Sequence, residues 1–199
     1  MNNLSNSQID AINTIEGPIL VLAGAGTGKT TMLTGRIANI IKSKIAQPHE
    51  ILAVTFTNKA AREMKERINI LENNITGMFL GTFHSISARF LRIYHKALNL
   101  DQNFIIIDEL DKKKILKKIS ENLSIDEKRF PLKLLSFIIS GLKENYIQEN
   151  DIESLSNYKY KDLDIAKLYQ EYKYQLKIIN AVDFDDLIFE CINLFQNNQ

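Results

Sequence analysis

The residues best suited to chemistry lie between Ala23 and Thr31, in the run AGAGTGKTT. Small residues and glycines let a backbone fold closely, so that its N–H groups turn inward on phosphate oxygens. Lys29 adds a cation for the terminal phosphates of a nucleoside triphosphate, and the Thr30 hydroxyl is of the type that binds Mg²⁺. A helix opened by such a loop presents orphan N–H groups and the positive end of its dipole to the anion. The expected nucleotide site is therefore Ala23, Gly24, Ala25, Gly26, Thr27, Gly28, Lys29, Thr30 and Thr31. The strict pattern G-x-x-x-x-G-K-[ST] has Gly where this chain has Ala23, a replacement tolerable at negative φ.

Elements that must hold such a loop can be read on both sides of it. The apolar run Ile19–Leu22 predicts a buried strand leading in, and Met32, Leu33, Ile37, Ile40 and Ile41 repeat at helical spacing leading out. A second strand is expected at Ile51–Phe56, followed by a helix capped by Thr57 or Asn58, with Ala60, Ala61, Met64, Ile68 and Leu71 as its apolar stripe. On its wet side Lys59/Glu63 and Arg62/Glu66 are i,i+4 pairs. A third strand, Met78–Leu80, runs into Gly81-Thr82-Phe83-His84, and a helix follows with Ile86, Phe90, Ile93 and Ala97 inward. This repetition predicts an α/β fold, a parallel sheet with helices on both faces. From about residue 109 Leu/Ile-rich stretches at 109–122, 131–145, 162–180 and 184–195 predict an all-helical second part, with breaks at Ser124–Pro131 and Gln148–Tyr160.

At 199 residues and 45% apolar content the chain can bury a core, as one domain or two small ones. Net charge is +1, but residues 1–100 carry +5 and residues 101–199 carry −4, so the phosphate-handling end is the basic end. The single cysteine, Cys191, excludes an intramolecular disulfide and a multi-cysteine zinc site, and is expected to pack as a small hydrophobe. His49, His84 and His95 form no metal-ligand pattern. No apolar run reaches about 18 residues and no signal-peptide pattern opens the chain, so a soluble cytoplasmic protein without a membrane partner is expected.

A phosphate loop alone names no reaction. Together with TFTNKAA at 55–61, GTFH at 81–84 and Gln8 within LSNSQIDAI, however, the chain resembles the N-terminal portion of the UvrD/PcrA/Rep family of superfamily-one DNA helicases. The resemblance runs from Leu4 to VDFDDLI at 182–188. It implies a partial RecA-like ATP-binding subdomain over residues 1–105, a helical insertion over 106–190, and a tail, 191–199, leading toward a Walker B strand. It further implies ATP and Mg²⁺ as cofactors, single-stranded DNA and a duplex junction as partners, and 3′-to-5′ movement driven by ATP hydrolysis.

By the same resemblance, Gln8 reads the adenine edge, for which an amide offers a donor and an acceptor side by side; a plain helix-surface role is the alternative. Lys29 and Thr30 match the catalytic lysine and the magnesium hydroxyl. Where members commonly have Arg after Gly-Lys-Thr, this chain has Thr31, which removes one cation from the nucleotide's surroundings. Phe56, Thr57, Asn58 and Lys59 match one single-strand DNA motif, and Thr82, Phe83 and His84 match the next. Phe56 offers a face for a base, and Thr57, Asn58 and Lys59 offer polar and cationic groups for the backbone. Two simpler roles stand beside these: Phe56 as core and His84 as a structural residue. Arg89, Arg92 and Lys96 share one helix face and form either a phosphate track or a solvated surface.

The stretch FIIIDE at 104–109 looks like a Walker B strand but is read otherwise. The family's motif is Asp-Glu-x-Gln, whereas Asp111 stands here at the fourth place, and Asp108 is expected to cap the helix carrying Leu110, Leu116 and Ile119. Asp183, Asp185 and Asp186 are read as acidic residues opening a helix rather than as a metal site. As a piece without Walker B carboxylates or a second RecA-like subdomain in cis, the chain is expected to hydrolyse ATP negligibly by itself, and its open sheet edge predicts either self-association or only marginal stability. The alternatives are a helicase subunit of a helicase–nuclease, a small P-loop kinase, and a non-catalytic nucleotide- or DNA-binding module.

Overall fold

The computed structural model of the chain describes residues 4–24, 26–147, 159–160 and 162–197. It divides into two units, Met1–Ile86 and Ser87–Gln199. The boundary falls within one helix, α4 (Phe83–Ile93).

In the first unit, α1 (Asn6–Asn13) opens on a capping box in which the Ser5 hydroxyl accepts from Gln8 N and Ser5 N donates to Gln8 Oε1. An extended segment leads to α2 (Lys29–Lys42). The strand β1 (Leu52–Thr55), helix α3 (Asn58–Leu71) and strand β2 (Phe79–Thr82) form one crossover unit, and the two strands pair in parallel from Leu52↔Phe79 to Thr55↔Thr82. Thr57 caps α3, its side chain accepting from Ala60 N at 3.1 Å. Ile37, Ala53, Met64, Ile68 and Met78 bury the space between the strand pair and its helices. Parallel α/β character is thus present, at the scale of two strands.

The strand predicted at Ile19–Leu22 is not formed. These residues are extended, and their exposures of 40, 83, 37 and 86% alternate as a strand's would. What is missing is a ladder: β1 pairs with β2, and no other strand among the described residues pairs with either. A strand is defined by the neighbour that accepts its hydrogen bonds, and an apolar run cannot supply one. On α4 the expected inward face is also displaced. Ile86 is buried, but Ile93 is 51% exposed and Ala97 lies outside the helix, while Leu91 is fully buried.

In the second unit, α5 (Glu109–Asn122), α6 (Leu132–Glu144), α7 (Ile165–Ile178) and α8 (Phe184–Asn197) fall close to the periodic stretches of the sequence. The unit is not all-helical, however. β3 (Ile105–Ile106) pairs in parallel with β6 (Ala181–Val182), and β4 (Lys159–Tyr160) pairs antiparallel with β5 (Leu163–Asp164). Two-residue strands carry too few alternations to register as a period, which is why the sequence shows only helices there. Leu116, Ile119, Leu135, Ile139, Leu168 and Tyr172 are fully buried at the centre of the four helices. Most of the break expected at Gln148–Tyr160 lies outside the described residues. Among the described residues no helix is long and apolar enough to cross a membrane.

Candidate functional site

The loop between Ala23 and Gly28 ends in a residue that only glycine fits well. Gly28 has φ +81° and immediately precedes α2, and a Cβ placed there would stand 2.8 Å from Gln8 Nε2. Gly26 is also left-handed, with φ +75°. Thr27 Oγ1 donates to Gly24 O at 2.7 Å and closes the loop on itself. Lys29 folds back over it, its ammonium donating to Ala23 O and, at 2.7 Å, to Gly24 O. Thr30 sits half-buried in the first turn of α2. Ala25 lies outside the described residues. The ninth expected residue, Thr31, accepts at 3.3 Å from Arg67 of α3. A guanidinium therefore does stand at this position, brought by a neighbouring helix rather than by the loop.

Gln8 faces the loop from α1. Its Nε2 donates to Thr27 O at 2.8 Å, and its Oε1 accepts from Ser5 N at 2.8 Å. An amide has two N–H donors and two acceptor lone pairs, so one of each is left to face outward. Both retained groups are held in plane by a helix cap on one side and the phosphate loop on the other. A cleft of about 590 Å³, within the range of small-molecule sites, opens beside them, lined by Gln8, Ala11, Ile19, Val21, Thr27, Lys29 and Met32 among others. Its wall of Ile19 and Val21 is the half-covered face of the extended segment.

The second group of expected residues assembles at the carboxyl ends of the paired strands. Because Thr55 and Thr82 are in register, the residues that follow them, Phe56 and Phe83, emerge side by side. Their ring centroids are 5.5 Å apart at 47°. Phe56 is 89% exposed and Phe83 43%, so Phe56 is not a core residue. Asn58 and Lys59, in the first turn of α3, and His84, in the first turn of α4, are exposed around the pair. Thr57 and Thr82 are used differently. The Thr57 hydroxyl caps α3, and the Thr82 hydroxyl is buried and accepts from Ser85 N at 3.2 Å. These two threonines fix the turns that present the aromatic rings. Farther along, Arg92 stacks at 4.7 Å over Phe104 and donates to Gln102 O, so its guanidinium is tied to the surface of its own unit.

A family model for the UvrD/REP helicase N-terminal domain matches residues 4–199. The chain belongs to the UvrD/REP helicase family. Among curated relatives, the ATP-dependent DNA helicases PcrA of Staphylococcus aureus and of Staphylococcus epidermidis are each 40% identical over 197 residues, 98% of this chain. The chain spans 27% of the length of those relatives. The matched residues 4–199 take in the AGAGTGKTT, TFTNKAA and GTFH runs alike.

Two expectations about carboxylates resolve differently in this UvrD/REP chain. Asp108 does cap α5, its side chain accepting from Leu110 N and Asp111 N at 2.8 and 2.9 Å. Asp183, Asp185 and Asp186 do more than open a helix. Asp183 and Asp186 exchange backbone-to-carboxylate bonds at the start of α8, and both are buried. Lys143 of α6 reaches Asp183 at 2.8 Å and Asp186 at 2.7 Å. Lys112 of α5 bonds Asp185 at 2.9 Å and Ser140 Oγ at 2.9 Å, with Asp183 at 3.3 Å. Tyr172 of α7 donates to Asp183 at 2.8 Å.

Burial opposes the charge of Asp183, but the ammonium groups of Lys143 and Lys112 outweigh it and hold that carboxyl well below the usual carboxylate range. Burial dominates at Asp186; the attraction of Lys143 offsets it only in part, the Asp183 charge adds to it, and the carboxyl is pushed up to about 6. Burial also drives the Tyr172 phenol up, with the Asp183 charge reinforcing it. A signal for this network was present in the helices: Lys112 stands four and seven residues before Leu116 and Ile119, and Lys143 four residues after Ile139. A lysine on an apolar stripe requires a buried acid.

Proposed function

We propose that this chain is the ATP-binding N-terminal portion of an ATP-dependent 3′-to-5′ DNA helicase, in which ATP hydrolysis drives movement along single-stranded DNA and unwinding of a duplex junction. In this reading residues 1–105 carry the nucleotide and base contacts and residues 106–190 form a helical insertion. The names of the PcrA relatives support the activity, and the exposed Phe56–Phe83 pair is the observation that carries it. Two neighbouring phenylalanines left in water at the ends of registered strands form an apolar platform, and every base has a π-face to lay on it. Asn58, Lys59 and His84 surround the platform with polar and cationic groups suited to a phosphate backbone.

The nucleotide half of the site works by rearranging charge that is already positioned. Ala23, Gly24, Gly26, Thr27 and Gly28 form the cradle, with Ala25 the remaining member of the run. Lys29, now paired with loop carbonyls, turns from them to the terminal phosphates, a stronger acceptor for an ammonium. Thr30 is the residue of this chain that would hold Mg²⁺, which supplies charge neutralisation between the phosphates when bound. Gln8 presents its remaining donor and acceptor to the adenine edge. Arg67, anchored on Thr31, supplies the cation that the loop itself lacks.

Separate substitutions test the two halves. Phe56→Ala weakens binding of a labelled oligothymidine about tenfold or more by fluorescence anisotropy, from the 1–3 kcal/mol of one stacked base, and leaves ATP affinity unchanged. Lys29→Ala does the reverse. Equal DNA affinity of wild type and Phe56→Ala would overturn the reading of the aromatic platform.

A further inference from the structure

α1 is poorly equipped to stay in place by itself. It has eight residues, and Ala11 is the one it buries. Isolated helices of that length are unstable in water, and one buried methyl group with a half-buried Ile12 beside it does little to dock one. The helix is nevertheless the element that carries Gln8.

Its anchorage comes from α2, through residues outside the phosphate loop. Arg36 donates through one guanidinium nitrogen to Ala11 O at 2.8 Å and through the other to Ile15 O at 3.2 Å. Asn39 donates to Ile12 O at 3.3 Å. These carbonyls lie at and just beyond the C-terminal end of α1, where the intrahelical ladder leaves acceptors unpaired and the helix dipole favours a cation. The approach is close because Gly35 faces Ile12: a Cβ on Gly35 would meet Ile12 Cδ1 at 3.0 Å. At the other end, α1 is tied down by Gln8 Nε2 on Thr27 O.

We propose that Arg36 and Asn39 are positioning residues for nucleobase selection: by clamping the C-terminal carbonyls of α1 they fix the direction of the Gln8 amide, and hence the preference for adenine. The proposal rests on the reading of Gln8 given above. Neither residue lines the cleft beside Gln8, although Arg36 borders the smaller hollow next to it with Ala11, Lys29 and Met32. Arg36 spans two carbonyls at once, which a point cation on a flexible stem does not reproduce. Loss of the clamp leaves the phosphate cradle intact and frees α1 to pivot about the Thr27 contact.

The test measures ATP and GTP affinities of the wild-type chain, Arg36→Met, Arg36→Lys and Asn39→Ala by titration calorimetry, with amide hydrogen exchange on the same proteins. Wild type is expected to prefer ATP. In Arg36→Met, ATP affinity falls about tenfold, the equivalent of one to two net hydrogen bonds, while GTP affinity, carried by the phosphates, stays constant. Arg36→Lys recovers part of the preference and Asn39→Ala loses a smaller part. α1 amides exchange faster in Arg36→Met, and those of α3 do not. A merely structural defect would lower both affinities together and would count against the proposal. So would an unchanged ATP-to-GTP ratio in Arg36→Met and Asn39→Ala. Equal ATP and GTP affinities in the wild type would instead remove the adenine reading of Gln8, and the positioning role with it.

Discussion

Lys143→Met is the most demanding perturbation of the second unit. The ammonium of Lys143 is 1% exposed and lies 2.8 and 2.7 Å from two buried carboxylates. Methionine keeps the length and apolar stem of the side chain and removes the charge alone. The cluster then holds Lys112 against Asp183, Asp185 and Asp186. Lys112 contacts Asp183 only at 3.3 Å and does not bond Asp186. Removing one partner of a buried pair typically costs about 3–5 kcal/mol, since the remaining charge keeps its desolvation penalty.

Urea unfolding followed by far-ultraviolet circular dichroism reads this directly, because the second unit carries four of the helices. At about 2 kcal/mol per molar urea, the midpoint falls by roughly 2 M. The loss should be smaller near pH 5 than near pH 8, because protonation of Asp186 removes the charge left without its closest cation. A destabilisation below about 1 kcal/mol near pH 8 would refute the reasoning: the network would then be exchanging its charges with water rather than sealing them.

The two carboxyls make opposite contributions to the pH dependence of the unsubstituted chain. Asp186 titrates at about 6 in the folded state, above its unfolded value near 4, so the folded protein binds more protons in that window and loses stability as pH rises through it. Asp183 is held below its unfolded value, and its contribution is lost as pH falls from about 4. Chemical denaturation across pH 3–8 should therefore show these two contributions summing to a maximum near pH 4, and Asp186→Asn should flatten the limb between about 4 and 6. Gly28→Ala places a methyl group in left-handed backbone and 2.8 Å from Gln8 Nε2; it should cost about 1–2 kcal/mol and weaken ATP binding, measured by thermal shift and calorimetry on one preparation.

Local chemistry was far more legible than pairing. AGAGTGKTT announced a tight turn into a helix, and Gly26 and Gly28 do take left-handed backbone just before α2. Thr57 and Asp108 announced helix starts, and both side chains cap the helices that follow them. Ile19–Leu22 announced a strand that has no ladder, since hydrogen-bond partners are chosen by the rest of the fold and not by the segment. The two-residue strands of the second unit were invisible because periodicity needs length.

Lysine is usually exposed, yet the spacing of Lys112 and Lys143 to Leu116, Ile119 and Ile139 places them on buried faces. Asp183 and Asp186 do open a helix, but their acidity alone does not reveal the buried lysines they meet. The role of Phe56 turned on a quantity that sequence does not carry. A phenylalanine after a strand is core or surface according to what covers it, and its 89% exposure puts Phe56 on the surface.

The hub at Asp183 also bears on how quickly the second unit comes apart. Its Oδ2 takes contacts from α5, α6 and α7 together, including bonds to partners 11 and 40 residues distant in the chain. No pair of helices can complete it, because its two ammonium groups and its phenol arrive on three different helices. Contacts that form after the folding barrier act on escape from the native state rather than on arrival. The network therefore works as a kinetic latch: weakening it should hasten unfolding while leaving the refolding rate nearly unchanged.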